Sequence, residues 1–233
     1  MKLDILAFAA HPDDVEISCS GTILKHIDLG YKCGLVDLTQ GELGTRGSAQ
    51  LRLQEAERAK AILGLEAREN LGFADGFFLN DHAHQIPIIK MIRKYRPEIV
   101  LANSVHDRHP DHGKAAKLVA DACFLSGLIK IDTGQEAWRP QAVYHYIQDE
   151  YIHPDLTIDI TPYFDRKMES IKAYTSQFYI PDSDLPETPI SGQDFMDFLI
   201  GRAKLVGRPI GAKYAEGFTS SRNVGVKNLF DLY

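Results

Sequence analysis

The sequence predicts an α/β fold, a Rossmann-like three-layer sandwich built on a mostly parallel sheet. Two observations indicate this class. The first is a set of short continuous apolar runs, which are typical of strands that are buried on both faces. The second is that these runs alternate with longer segments of helical spacing. This alternation predicts parallel βαβ units. Because the 233 residues contain no internal repeat and no break in composition, we expect a single domain over residues 1–233.

Each element follows from a local pattern. The first apolar run predicts a strand, and Ile23, Leu24 and Ile27 have the spacing of a helix that Gly30 ends. Ser48 is a good N-cap for the next helix. The expected strands are 3–10, 33–39, 98–103, 142–147 and 156–160, and the expected helices are 22–29, 49–63, 83–95, 111–125, 162–178 and 193–206. Residues 181–192 are expected to form a loop or a lid.

The composition is that of an ordinary globular protein, with 44% hydrophobic and 25% charged residues. A net charge of -6 without a cluster of lysines and arginines argues against nucleic acid as a partner. The N-terminal apolar run is too short for a signal peptide, and no segment is long enough to span a membrane. The three cysteines form no CxxC pair, which favours a reducing compartment. We therefore expect a cytoplasmic protein that acts on a small molecule.

Two polar clusters follow predicted strands. Residues 11–14 (HPDD) come directly after the first strand, and residues 106–112 (HDRHPDH) follow the strand at 98–103. Either cluster alone is better explained as the capped start of a helix. Because the carboxyl ends of parallel strands share one edge of the sheet, the two clusters together predict a metal site. Catalytic zinc takes about three imidazole or carboxylate ligands and leaves one position for water.

The residues within these clusters are expected to have different tasks. Adjacent Asp13 and Asp14 cannot easily point the same way, so one can bind a metal while the other faces the water on it. Pro110 is expected at the first helical position, with His109 extended before it and His112 on the first turn. Spacing alone leaves open which of these residues are ligands.

The motifs AHPDD and RHPDH make this chain resemble the LmbE-like, or GlcNAc-PI de-N-acetylase, family of metal-dependent N-acetylglucosaminyl deacetylases. The resemblance extends to the DLTQGELGTRG loop and over nearly the whole chain. Residues 176–178 (SQF) and 214–218 (YAEGF) are most similar to the branch that makes bacillithiol, whose substrate is N-acetylglucosaminyl malate. The resemblance also implies a homo-oligomer.

The resemblance implies a role for each motif residue. His11, Asp14 and His112 would hold the metal, Zn²⁺ or alternatively Fe²⁺, and Asp13 would be the general base. Zinc lowers the pKa of bound water to about 7, so that a neighbouring carboxylate can complete its deprotonation. The site would therefore activate water to attack an acetamide carbonyl.

Two further roles follow from the resemblance. His109 would polarise or protonate the tetrahedral intermediate, and Asp111 would orient its ring and favour the imidazolium. The chain departs from the family at Val15, because many members have a glutamate there and this chain has it at Glu16.

Arg46 and Arg52 are the candidate substrate-binding residues. A malate-like aglycone carries carboxylates that suit a bidentate guanidinium, and the helix start near Ser48 favours an anion. The alternative is that both are ordinary arginines of a solvated loop.

Three other functions remain open from the sequence. The same chemistry could act on another N-acetyl sugar or amide. Two histidines and one carboxylate also form the metal triad of ferrous oxygenases. A metal-binding sugar sensor without turnover is the third, although such a site would not need Asp13.

Overall fold

The computed structural model describes residues 1–181 and 184–231, and within them seven strands form one sheet. The strands are β1 (Ile5–Ala9), β2 (Cys33–Thr39), β3 (Ala67–Phe73), β4 (Ile99–Ala102), β5 (Ala142–Tyr146), β6 (Leu156–Asp159) and β7 (Ala215–Thr219). The helices are α1 (Asp14–Ser18), α2 (Ser20–Asp28), α3 (Ala49–Leu63), α4 (His82–Tyr95), α5 (Pro110–Leu125), α6 (Phe164–Lys172) and α7 (Gln193–Gly207). Single turns of 3-10 helix occur at Thr161–Tyr163, Arg208–Ile210 and Leu229–Asp231.

The sheet has the strand order β3-β2-β1-β4-β5-β7-β6. Strands β1 to β5 pair in parallel, and β7 lies antiparallel between β5 and β6. The predicted mostly parallel α/β sandwich is therefore confirmed. The chain moves outward from β1 in both directions, with β2 on one side and β4 on the other. Open α/β sheets bind their ligands at the carboxyl ends of the strands beside such a switch point.

The first strand shows why its sequence is apolar throughout. Leu6 and Phe8 pack into a core cluster with α4 and α5 on one face of the sheet. Ile5, Ala7 and Ala9 pack on the other face with α2. Since successive side chains of a strand point to opposite faces, a central strand between two helical layers must be apolar at every position.

Two strands were absent from the predicted set, β3 and β7. The β3 sequence, ARENLGF, carries two charges and lies at an edge of the sheet, where it is only partly buried. Its Arg68 side chain is nevertheless buried, because the guanidinium binds the carboxylates of Asp37 and Glu16. Charged residues paired in this way hide the strand from a search for apolar runs.

Two helical predictions differ from the structure. The polar stretch after the first strand contains a separate short helix, α1, which a break at Cys19 divides from α2. The helix predicted to reach residue 178 ends at Lys172. Beyond it, the Glu55 carboxylate accepts hydrogen bonds from the Thr175 hydroxyl and from the main chain and hydroxyl of Ser176. These bonds hold the segment in a turn. In the described part of the chain, no helix is both long and apolar enough to cross a membrane.

Candidate metal centre

A cavity of about 250 Å³ lies at the carboxyl ends of β1 and β4. Because these strands are neighbours in the sheet, the two predicted clusters meet there although they are far apart in the sequence. The lining includes the cluster residues His11, Asp13, Asp14, His109 and His112, and it also includes Ile190, Phe195 and Arg202 from the later chain.

The backbone at Asp13 sends the two adjacent aspartates in different directions. Asp13 has a φ of 121°, in a region that residues other than glycine rarely adopt, and α1 begins at the next residue. The Asp14 carboxylate folds back and accepts a hydrogen bond from the main-chain N–H of His11 at 2.9 Å. A backbone outlier of this kind costs about 1–3 kcal/mol and is typical of functional sites.

His112 lies on the first turn of α5 with both ring nitrogens close to carboxylates. Its Nδ1 is hydrogen-bonded to Asp107, and its Nε2 lies 3.1 Å from Asp14 Oδ1. Burial alone would lower the pKa of His112, but Asp14 and Asp107 raise it to about 9. In turn His112 holds the pKa of Asp14 well below its usual value, despite burial.

His11 also has carboxylates close to both ring nitrogens, and one of them, that of Asp75, comes from the loop that follows β3. Its Nε2 lies 2.9 Å from Asp75 Oδ1 and 3.5 Å from Asp111 Oδ2. Its Nδ1 lies 3.8 Å from Asp14 Oδ2. Burial opposes the charged ring, yet the hydrogen bonds to Asp111 and Asp75 raise the pKa of His11 to about 10.

The donor chemistry of the site fits a divalent metal. Histidine ligands usually have their outer nitrogen bound by a carboxylate, which fixes the ring and raises its basicity. His11 and His112 each have such a carboxylate, and the remaining nitrogen of each faces Asp14. Two imidazoles and one carboxylate suit Zn²⁺ and Fe²⁺ alike. Among the described residues, two sets of three donor atoms lie within 4.8 Å of one another: His11 with His109 and His112, and His11 with Asp75 and Asp111.

Asp13 binds Arg52 rather than the imidazoles. Arg52 Nη2 donates to Asp13 Oδ2 at 2.8 Å and to the Pro12 carbonyl at 2.7 Å, and both side chains are buried. Burial raises the pKa of Asp13 to about 7, although Arg52 opposes the rise. A general base works best with a pKa near the operating pH.

The two candidate substrate arginines therefore lie in different surroundings from those expected. Arg52 lines the cavity, but its guanidinium is used to hold Asp13. Arg46 is not among the described residues that line this cavity. Its guanidinium instead donates to the carbonyls of Leu185 and Pro186, so it connects the DLTQGELGTRG loop to the segment that was predicted to be a loop or a lid.

His109 and Asp111 are both at the site, but the expected contact between them needs correction. The His109 ring stacks on His112 with centroids 5.0 Å apart. The Asp111 carboxylate turns away from His109, because it accepts hydrogen bonds from Gly76 N and Lys114 Nζ at 2.8 and 2.9 Å. Only the main-chain N–H of Asp111 reaches His109 Nδ1, at 3.3 Å. Burial lowers the pKa of His109, so the neutral ring rather than the expected imidazolium is favoured.

Comparison with known families agrees with this geometry. A profile described as PIG-L, GlcNAc-PI de-N-acetylase, matches residues 6–123, which include both clusters. The chain belongs to the PIG-L family. The family resemblance of the motifs is therefore confirmed.

Several curated proteins resemble this PIG-L family member. Diacetylchitobiose deacetylase of Thermococcus kodakarensis is 31% identical over 91% of this chain and 81% of its own length. A probable N-acetyl-alpha-D-glucosaminyl L-malate deacetylase 2 of Bacillus anthracis is 27% identical over 75% of this chain and 81% of its own length. The 4-oxalmesaconate hydratase of Pseudomonas putida is 25% identical over 97% of this chain and 88% of its own length.

Solved structures share the fold of this PIG-L family member. The conserved protein TT1542 from Thermus thermophilus superposes with a TM-score of 0.88 and 33% identity, covering 96% of this chain and 97% of that one. The N,N'-diacetylchitobiose deacetylase from Pyrococcus horikoshii, solved with an inhibitor, gives a TM-score of 0.79 and 27% identity over 92% of this chain and 82% of that one.

Four residues at this PIG-L site were missed by sequence reasoning: Asp75, Asn103, Asp107 and Gln148. Asp107 was part of the second cluster but received no role. Asp75 follows β3, and a loop cannot be placed on the sheet edge if its strand is not recognised. Asn103 and Gln148 closely follow β4 and β5, so a search of every strand end for polar residues would have found them.

Proposed function

We propose that this chain is a metal-dependent N-deacetylase that removes the acetyl group from an N-acetylglucosaminyl conjugate. The observation that carries the proposal is the buried Asp13 carboxylate, which lies in one cavity with the donor set of His11, Asp14 and His112. A binding protein would need the donors but not the base. The family and its deacetylase relatives support the same reaction.

His11, Asp14 and His112 would hold the metal, which we propose to be Zn²⁺ with Fe²⁺ as the alternative. A divalent ion bound there supplies a Lewis acid for the amide carbonyl. Asp13 accepts a proton from the attacking water as the new C–O bond forms at the acetyl carbon. The same proton can then pass to the nitrogen as the C–N bond breaks. The second proton of the water leaves on the acetyl group as acetic acid and then passes to the amine, so the products are acetate and an ammonium group.

His109 acts in this proposal through a neutral ring. The Asp111 N–H donates to His109 Nδ1, so this nitrogen is an acceptor and the ring proton belongs on Nε2. An Nε2–H next to the cavity can donate to the oxyanion that develops from the carbonyl oxygen. The carboxylate of Asp111 contributes by binding His11 instead.

The identity of the group attached to N-acetylglucosamine is the more specific part of the proposal. The SQF and YAEGF segments favour the malate conjugate, whereas the relative from Thermococcus kodakarensis covers more of this chain at higher identity and acts on diacetylchitobiose. The arginines that line the cavity already have partners in the described residues. Arg52 binds Asp13, Arg108 binds Asp149 and Arg202 donates to two main-chain carbonyls. This arrangement weakens the prediction of a malate aglycone, because the cavity arginines are already used. A neutral sugar aglycone is therefore supported as well as malate is.

An acetate-release assay tests the proposal. Purified protein would be stripped of metal, reloaded with Zn²⁺ or Fe²⁺, and given N-acetylglucosaminyl malate, N,N'-diacetylchitobiose and free N-acetylglucosamine. We expect metal-dependent acetate release from at least one conjugate. Oxygen consumption in a parallel reaction with an added 2-oxoacid, and no acetate release, would assign an oxygenase instead. Hydration of 4-oxalmesaconate in a second parallel reaction, without acetate release from the conjugates, would assign the activity named for the Pseudomonas putida relative.

A further inference from the structure

Asn103 directly follows β4, beside the end of β1, and its side chain is 0% exposed. Its Oδ1 accepts a hydrogen bond from the main-chain N–H of Ala10 at 2.9 Å. Its Nδ2 donates to Asp14 Oδ2 and to Gln148 Oε1, both at 2.9 Å. These bonds use both donors of the amide and fix which end is oxygen and which is nitrogen.

Gln148 extends the same network to the other oxygen of Asp14. It is also 0% exposed, and its Oε1 accepts from Asn103 and from the main-chain N–H of Ser104 at 3.2 Å. Its Nε2 donates to Asp14 Oδ1 at 3.1 Å and lies 3.4 Å from His112 Nε2. Two connected amides therefore hold both oxygens of one buried carboxylate.

The two oxygens of Asp14 are held unequally. Oδ2 accepts two hydrogen bonds, from His11 N and from Asn103 Nδ2. Oδ1 accepts one from Gln148 and faces His112 Nε2 at 3.1 Å. A carboxylate that could rotate would present either oxygen, but the pair of bonds to Oδ2 prevents this.

We propose that Asn103 is a positioning residue for the metal: it fixes the Asp14 carboxylate so that Oδ1 is the oxygen presented beside His112. The inference rests on the proposed function, in which Asp14 and His112 are metal ligands. It concerns the outer contacts of the ligand, and such contacts typically contribute a factor of about 10 to 100 in metal affinity.

The test replaces Asn103 with aspartate, which has the same shape. Asn103→Asp puts a carboxylate oxygen against Asp14 Oδ2 and Gln148 Oε1, where the donor stood. We expect Zn²⁺ and Co²⁺ to bind about 10- to 100-fold more weakly in chelator competition, with a changed visible spectrum of the Co²⁺ protein. The matched control is Asn70→Asp, because Asn70 also lies toward the carboxyl edge and donates to the Thr39 carbonyl. Its metal affinity should stay that of the wild type.

Thermal unfolding with and without Zn²⁺ separates positioning from a merely structural role. A structural role would lower the unfolding midpoint of the metal-free and the loaded protein alike. A positioning role reduces the rise in midpoint that Zn²⁺ produces. If Asn103→Asp does not fold, Gln148→Met removes the connected amide at similar volume and should weaken metal binding in the same direction.

Wild-type affinity and an unchanged Co²⁺ spectrum in Asn103→Asp, or an equal loss of midpoint with and without metal, would overturn the inference. Its failure differs from failure of the proposed function. A wild-type protein that binds Zn²⁺ but releases no acetate from any conjugate would contradict the deacetylase proposal, while the effect of Asn103→Asp on metal affinity would still be measurable.

Discussion

At the scale of a single residue, burial and a neighbouring arginine shift the pKa of Asp13 in opposite directions. Burial raises its pKa to about 7, and the guanidinium of Arg52 opposes that rise. Its backbone is also strained, with a φ of 121°, and Arg52 binds the Pro12 carbonyl beside it. The arginine thus holds both the carboxylate and the turn that carries it. A base held this firmly has little freedom to lose when the substrate binds.

Asp13→Asn tests the base directly. The amide keeps the shape of the side chain but cannot accept the proton from water, so kcat should fall by roughly 10²- to 10⁴-fold. Metal content, measured by elemental analysis, should remain that of the wild type because the ligands are other residues. Near-normal turnover in this variant would remove Asp13 from the mechanism.

Arg52→Met tests the positioning of that base. Because the guanidinium binds Asp13, we expect kcat to fall by roughly 10- to 100-fold while KM changes little, for neutral and anionic conjugates alike. The matched control is Arg58→Met on the same helix, whose side chain is 51% exposed. A rise in KM confined to the malate conjugate would instead support the prediction from the sequence that Arg52 binds a carboxylate of the substrate.

At the scale of elements, the sequence predicted the strands that have a continuous apolar pattern and the helices that begin at a capping residue. The strand β1 is apolar on both faces because helices cover both, and Ser48 does cap α3 by accepting from Leu51 N. The strand β3 was missed because Arg68 is buried through ion pairs with residues of other elements. Such pairing depends on the tertiary fold and leaves no periodic signal in the local sequence.

Glu216 joins three elements, and its removal should be costly. From β7 it accepts hydrogen bonds from Gly21 N and Thr22 N at the start of α2, and from Lys167 Nζ of α6 at 2.7 Å. Glu216→Gln leaves the buried Lys167 ammonium without its counter-ion. We expect the free energy of unfolding in urea to fall by about 3–5 kcal/mol.

A double variant provides the control for this pair. Because Lys167→Met removes the charge that Glu216→Gln leaves unpaired, the double variant should be less destabilised than the sum of the two single variants. Strictly additive effects would show that the two side chains do not stabilise each other.

At the scale of the whole molecule, the site depends on strand order. The rule that ligands bind at the carboxyl ends beside a switch point was enough to predict that the first and second clusters meet. It could not show that Asp111 binds His11 rather than His109, because that choice depends on Gly76 and Lys114, which compete for the same carboxylate. Side-chain partners within a cluster are decided by three-dimensional neighbours.

Metal binding should release protons and should strengthen as pH rises. In the metal-free chain the pKa of His11 is raised to about 10 and that of His112 to about 9, so both rings are protonated at about pH 7. A metal that takes a ring nitrogen must displace its proton. At lower pH protons therefore occupy the ring nitrogens of His11 and His112. As the pH rises toward the pKa values of these histidines, the metal competes for the same nitrogens more successfully.

The same charges determine the stability of the metal-free protein. A histidine whose pKa is raised on folding stabilises the folded state below its unfolded pKa of about 6.5, and this contribution is lost as pH rises through about 9 to 10. The metal-free protein should thus lose stability with rising pH while the Zn²⁺-induced gain increases. Calorimetric titration in two buffers of different ionisation enthalpy should find about two protons released per Zn²⁺ near pH 7, one from each histidine ligand. An affinity that does not change between about pH 6 and pH 8 would contradict this, because it would mean that the carboxylates around His11 and His112 do not hold the protons that a metal must replace.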